Sequence, residues 1–458
     1  MARSARRILH WFFQIRSASV APALGLALAF GLGAGATEMQ GQTYSVIHRF
    51  DYYDGSQPEA GVTIDRAGNL YGTTYNGGTY SGGEVYKLTR FGSHWLFNIL
   101  YSFAGGSDGA HPYTGALVFG PDGALYGTTY AGGNGGCGSL GFGCGTVFRL
   151  SPPPTICVNA LCSWTETVLY RFSGGADGAS PRAGVTFDQA GNLYGTTVNG
   201  GLTSGGCGTE GCGVVFELAH SGGSWTESVI HTFTPGGDGL YPFGGLTFDT
   251  AGNLYGTTTS GGSYDQGTVF QLTSPGSGWT ETILYNFTGG ADGSIPTANL
   301  IFDSSGKIYG TASNGGQAGD KVFGERDLSI NPARPLIVLP PAEGTAFTLT
   351  PNGGNWAFDL LYTFTLANDG GEGPLYSVVM DSAGNLYGTV IGGGLPPAYD
   401  GAAYKLTPGS PEWTYTPLFQ FTEDGNGADP ECALVFDASG NLYGTALGGA
   451  GVVFQIAP

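Results

Sequence analysis

The chain has 458 residues, yet only 16 are basic and 35 acidic, and its formal net charge is −19. That charge excludes nucleic acid and anionic membranes as partners held by electrostatics. The 85 glycines would suggest a flexible polymer, but a hydrophobic fraction of 41% is ample for a core, so disorder is excluded too.

Residues 1–36 stand apart. Arg3, Arg6, Arg7 and Arg16 precede an apolar stretch from Val20 to Ala36 that ends in Ala34-Gly35-Ala36. A basic head, an apolar middle and a small-residue end predict a secretory signal peptide cleaved before Thr37, with a retained anchor as the alternative. Cleavage removes four arginines and no acid, leaving a net charge of −23. The expected location is therefore extracellular or periplasmic. No later segment reaches the roughly 18 apolar residues of a membrane span.

From Thr43 to Phe50 runs a strand-like segment, and after it a heptapeptide close to Gly-Asn-Leu-Tyr-Gly-Thr-Thr recurs seven times. The copies begin at Gly68, Gly123, Gly191, Gly252, Gly306, Gly384 and Gly440, at spacings of 55, 68, 61, 54, 78 and 56 residues. Such a period means one supersecondary unit tiled into a single architecture. The fourth unit shows its parts. Gly245–Asp249 alternates; Thr250-Ala251-Gly252-Asn253 is a hairpin turn; Leu254–Thr258 is the next strand. Gly267–Leu272 follows after a Gly-rich loop, and Trp279–Phe287 is a last strand with period-two aromatics. Four antiparallel strands per unit without intervening helices predict an all-β, seven-bladed propeller. The order of apolar strand, Asp-x-x-Gly-Asn turn and Leu-Tyr strand resembles the first two strands of NHL-type blades, which makes Gly245–Asp249 innermost and the Trp-led segment outermost. The chain opens with a Trp-less outermost strand, 43–50, and closes on a third strand, Gly451–Ile456, that lacks its fourth. The N-terminal strand should therefore complete the last blade, a 1+3 closure that removes two sheet edges. The expected organisation is a leader, 1–36, and one propeller, 37–458, with a loop inserted at about 317–343.

The heptapeptides, the Gly-Thr-Val-Phe-x-Leu strand, Trp164–Tyr170 and the Gly-Gly-Ala-Asp-Gly turns at 174–178 and 289–293 together resemble the GloVer-type tandem repeat of exported bacterial proteins. The resemblance covers 43–458. Gly120, Ala124 and Lys307 depart from it, and no sorting anchor follows Pro458, which favours free secretion. It implies fold and export and supplies no catalytic residue.

Cys137/Cys144 and Cys207/Cys212 occupy the same loop of neighbouring units, and Cys157/Cys162 another connection; local disulfides are the expected state, with Cys432 left as a buried thiol. A metal would want four convergent ligands, and neither Cys-x-x-Cys nor a paired His offers them, so no metal is expected.

Two loop sets should share one face. The first joins each outermost strand to the next innermost one and carries Asp-Gly at Asp54, Asp108, Asp177, Asp238, Asp292, Asp369 and Asp424. A proline follows each: Pro58, Pro112, Pro181, Pro242, Pro296, Pro374 and Pro430. Seven carboxylates invite calcium, but one per loop falls short of an oxygen cage, and Asp-Gly is a turn former in its own right. The second set holds Tyr75, Tyr80, Tyr130 and Tyr264, candidate stacking platforms for sugar rings, with Tyr113, Tyr241 and Phe243 nearby. The insertion packs Asp320, Glu325, Arg326 and Asp327 into a charge-poor protein, as an interaction loop would. Gly105-Gly106-Ser107-Asp108-Gly109 matches a hydrolase elbow but is one copy of a repeated turn.

The expected function is a secreted, monomeric, non-catalytic binding module for an extracellular glycan or protein over the pore, without a cofactor. The alternatives are a polysaccharide lyase or glycosidase on the same disc, or a structural envelope component. An enzyme should carry acids confined to one or two blades, a binder aromatics, a structural protein seven similar loops.

Overall fold

The computed structural model describes residues 42–133, 136–137, 143–153, 163–204, 206–274, 276, 278–316, 344–365, 373–392, 400–410, 412–422 and 425–458. All lie in the second of two units of the chain, Gly41–Pro458. Seven four-stranded antiparallel sheets form a seven-bladed β-propeller, and no helix occurs among the described residues. In the third blade the order from the axis outward is Thr186–Phe187, Leu193–Thr197, Val214–Ser221 and Ser224–Thr232. The closure is as expected. Thr43–Arg49 pairs with Val452–Ala457, with Tyr44 opposite Ile456, and supplies the outermost strand of the last blade.

The repeat motif is explained residue by residue. Its Asp closes the hairpin: Asp249 Oδ1 accepts the N–H groups of Ala251 and Asn253, and Oδ2 accepts the Asn253 amide and the Tyr255 hydroxyl. The same arrangement holds at Asp65, Asp381 and Asp437. The second unit, which lacks the usual Asp and Asn at Gly120 and Ala124, compensates locally. There Asp122 accepts the Ala124 N–H and the Tyr126 hydroxyl, and pairs with Arg149 at 2.6 Å. Gly of Leu-Tyr-Gly is required by packing, since a Cβ on Gly195 would stand 2.6 Å from the Phe216 ring of the third strand. The first Thr reaches the neighbouring blade: Thr128 donates to Ala183 O, Thr196 to Gly244 O and Thr389 to Cys432 O.

The core lies in the seams between blades. A buried Phe just past each outermost strand packs on the third strand of the next blade: Phe103 on Phe148, Phe172 on Phe216, Phe233 on Phe270 and Phe287 on Phe347, at 5.1–5.3 Å between ring centres. Two loops are stapled by disulfides, Cys137–Cys144 and Cys207–Cys212, and Cys432 is a buried thiol. Cys157 and Cys162 lie outside the described residues.

Candidate functional site at the pore mouth

Each described Asp-Gly loop consumes its own acid. Asp177 accepts the Ser173 N–H and hydroxyl and the Tyr170 hydroxyl, and Asp292 does the same with Thr288 and Tyr285. Those carboxylates act as turn formers. Asp369 and Asp424 fall outside the described residues.

Beyond the turn the chain does something less common. The residue before the proline is left-handed in six blades: Gln57, His111, Ser180, Tyr241, Ile295 and Asp429 have φ between 45° and 56°. For a β-branched residue such as Ile295 that conformation is strained, and its repetition makes it a device of the fold. It swings the chain so that the side chain after the proline enters the ring. Read around the seven blades, that position is Glu59, Tyr113, Arg182, Phe243, Thr297, Leu375 and Glu431.

The structure brings these residues together. The Arg182 guanidinium lies over Phe243 at 4.1 Å, Tyr113 at 4.7 Å and Tyr130 at 5.3 Å. Tyr75 meets Tyr113 at 5.3 Å and His111 at 4.8 Å, and His111 Nδ1 bonds Tyr75 O at 2.9 Å. The Tyr376 hydroxyl donates to Glu431 at 3.1 Å. Contributors from the first, second, third, fourth, sixth and seventh blades converge here, which is possible only at the axis. Glu59 is 7% exposed; burial first and the Glu431 carboxylate second push its carboxyl up to about 8, against the pull of Arg182. Among the described residues, Glu59 Oε2 and the Nε and Nη1 of Arg182 are buried without a hydrogen-bond partner. Burial, then Glu59 and Tyr130, raise Tyr75; burial raises Tyr113, with Arg182 opposing. Tyr376 is held well above the ordinary phenol range by burial and Glu431.

Of the tyrosines singled out from sequence, Tyr75 and Tyr130 line this cluster. Tyr80 and Tyr264 stand elsewhere, 62% and 59% exposed, each near the outermost-strand tyrosine of its own blade, Tyr101 and Tyr285. Asp320, Glu325, Arg326 and Asp327 lie outside the described residues. Sequence reasoning aligned the prolines but missed Glu59, Arg182, Tyr376 and Glu431. For Glu59, Arg182 and Glu431 the signal was the residue after each proline; Tyr376 lies one position further on.

A sequence profile of the Gloeobacter/Verrucomicrobia repeat matches residues 35–207 and again 141–323. No curated protein matches the chain. Among solved structures, similar ones include a protein described as a 6-phosphogluconolactonase from Bacteroides uniformis ATCC 8492, 13% identical, covering 85% of this chain and 98% of that one at a TM-score of 0.49. A polysaccharide lyase of family PL25, an ulvan lyase, is 11% identical over 88% of this chain and 97% of its own, at 0.47. A protein of unknown function from Dyadobacter fermentans DSM 18053 is 11% identical over 91% and 99%, at 0.43.

Proposed function

The chain belongs to the Gloeobacter/Verrucomicrobia repeat family, and from that premise we propose that its propeller is a non-catalytic binding module whose ligand is a neutral extracellular carbohydrate at the pore mouth. Two disulfides and the family fit a location outside the cytoplasm, and export by 1–36 as a signal peptide is part of the proposal.

One observation carries the reading. A buried acid, Glu59, and a half-buried base, Arg182, face the axis with buried polar atoms that have no hydrogen-bond partner among the described residues. Such an orphan costs about 1–3 kcal/mol each, so a ligand that satisfies it gains that much. Sugar hydroxyls both donate and accept, and can serve an arginine and a carboxyl together. The faces of Tyr75, Tyr113 and Tyr130 supply the apolar wall that sugar rings need. An anionic polymer is disfavoured by Glu431 beside the site and by the protein's net charge of −19.

The test is calorimetric titration of the purified protein with neutral and uronate-containing oligosaccharides. Binding of a neutral glycan, weakened about tenfold or more in R182M and E59Q, is the expected result. Uronates alone binding, or variants binding as the wild type does, would refute it. The Glu59–Glu431 pair is also what a glycosidase would employ, so the same mixtures are assayed for new reducing ends. Release abolished in E59Q would replace the binder with a hydrolase.

A further inference from the structure

A second cluster stands away from the pore mouth, in the seam between the third and fourth blades, and does not depend on the reading above. His231 is on the outermost strand of the third blade, Ser224–Thr232; Asp238 is in the loop that follows; Glu281 is on the outermost strand of the fourth blade, Thr280–Asn286. One ligand atom from each lies within 4.8 Å of the others. His231 Nε2 is 3.3 Å from Asp238 Oδ2 and 3.8 Å from Glu281 Oε1. We propose that these three side chains bind a divalent transition-metal ion, with zinc as the best fit, and that the ion ties the two blades together.

The geometry suits a tetrahedral ion. Donors about 2.0–2.1 Å from zinc stand about 3.3 Å apart, close to the two separations seen, and a small inward shift of Glu281 completes the set. One nitrogen and two carboxylate oxygens match zinc, while calcium would need six or more oxygens. The side chains are only 13–18% exposed, and among the described residues His231 Nε2 and Glu281 Oε1 have no well-aligned hydrogen bond beyond their approach to Asp238, so all three ligand atoms converge on one point. Asp238 is already oriented. Its Oδ2 accepts the Thr234 N–H at 2.9 Å and the Thr234 hydroxyl at 3.3 Å, and its Oδ1 accepts the Gly239 N–H at 2.8 Å. His231 is braced edge-on by Phe233 at 4.7 Å. Partners of this kind are what fix metal ligands in place.

The sibling seams give the control. The equivalents of His231, Asp238 and Glu281 are Tyr101, Asp108 and Glu166 in one seam, and Tyr170, Asp177 and Glu227 in another. There a phenol donates to the aspartate and no imidazole is present. His48 stands beside Asp54 in a further seam, but the third position there is Phe97. Among the described residues, imidazole and two carboxyls coincide in this seam alone.

The experiment uses the full chain stripped with chelator and titrated with zinc chloride by calorimetry near pH 7.5, with melting temperature recorded in parallel. Expected are one zinc per chain, a rise in melting temperature, and an absorption-edge spectrum with nitrogen and oxygen donors only. H231Y restores the residue of the sibling seams, so it should melt like the stripped wild type while binding no zinc at this site and showing no thermal shift. E281Q should bind about tenfold or more weakly. Wild type that takes up no stoichiometric zinc, or H231Y and E281Q that both bind as it does, would overturn the proposal. So would sulfur in the metal's coordination shell.

Discussion

The seams of this ring are closed in two different ways at one repeated position. Two residues past each outermost-strand Trp, or its counterpart, four seams place an aromatic against the preceding blade. Phe97 stacks on His48 at 4.0 Å, Phe358 on Tyr285 at 4.3 Å, Tyr415 on Tyr362 at 5.6 Å and Tyr44 on Phe419 at 3.6 Å. Three consecutive seams instead insert Glu166, Glu227 and Glu281 beside Asp108, Asp177 and Asp238, each with Oε1 buried and unbonded. Burial first and the neighbouring aspartate second push these glutamates up to about 7, 7 and 8. The backbone is the same, so shape alone does not dictate the chemistry of the contact. Stacked rings are indifferent to protons, whereas a carboxyl beside a carboxylate is stable only while it holds one.

The largest expected effect follows from that contrast. A glutamate whose folded pKa is raised stabilises the fold fully below about 4.5 and loses that contribution as pH rises through its folded value. In metal-stripped protein each of the three should withdraw about 1–2 kcal/mol between pH 5 and pH 8 after solvent screening, and urea unfolding at the two pH values should show the summed loss. The opposite limb belongs to the hairpin aspartates. Burial alone would raise Asp65, Asp249, Asp381 and Asp437, but amide and backbone donors outweigh it and hold them low, so their contribution disappears as pH falls below about 3.8. Maximum stability is therefore expected in mild acid. A melting temperature higher at pH 8 than at pH 5 would contradict this assignment.

Next in size is Y44A, which removes the tightest stack, on Phe419, together with an edge contact to Phe421 and a tilted one to Phe454. It should cost about 3 kcal/mol in urea at either pH, without changing the pH dependence. Smallest is E166F, which rebuilds a proton-holding seam in the aromatic manner. It should gain about 1 kcal/mol at pH 8, leave pH 5 stability nearly unchanged, and reduce the difference between the two conditions by about a third.

The fold was legible because the repeat encodes it in short-range chemistry. Asp249, Asn253 and Tyr255 specify the hairpin from within seven residues, and the unpaired final strand, Val452–Ala457, demanded a partner that only Thr43–Arg49 could be. The disulfides of Cys137 and Cys207 were legible for the same local reason. The pore-mouth cluster was not, because Glu59, Tyr113, Arg182, Phe243, Tyr376 and Glu431 are 54 to 372 positions apart in sequence and meet only once the ring has closed. Glu59 and Glu431 become neighbours through the seventh-to-first seam, and Arg182 reaches Glu59 across the axis. Of the four tyrosines named from sequence, Tyr75 and Tyr130 lie in this cluster and Tyr80 and Tyr264 lie outside it, since composition does not tell an axial loop position from a peripheral one.

The pairing of Thr43 with Ala457 also has a temporal meaning. A chain emerging N-terminus first must carry Thr43–Arg49 unmatched through the making of every blade, because its partner is the last strand of the ring to appear. The ring consequently latches in a single terminal event, and a transcript cut short anywhere before Val452 yields an open arc with two raw edges. The latch acts as a check on the ring: only a chain that has made all seven blades can shut.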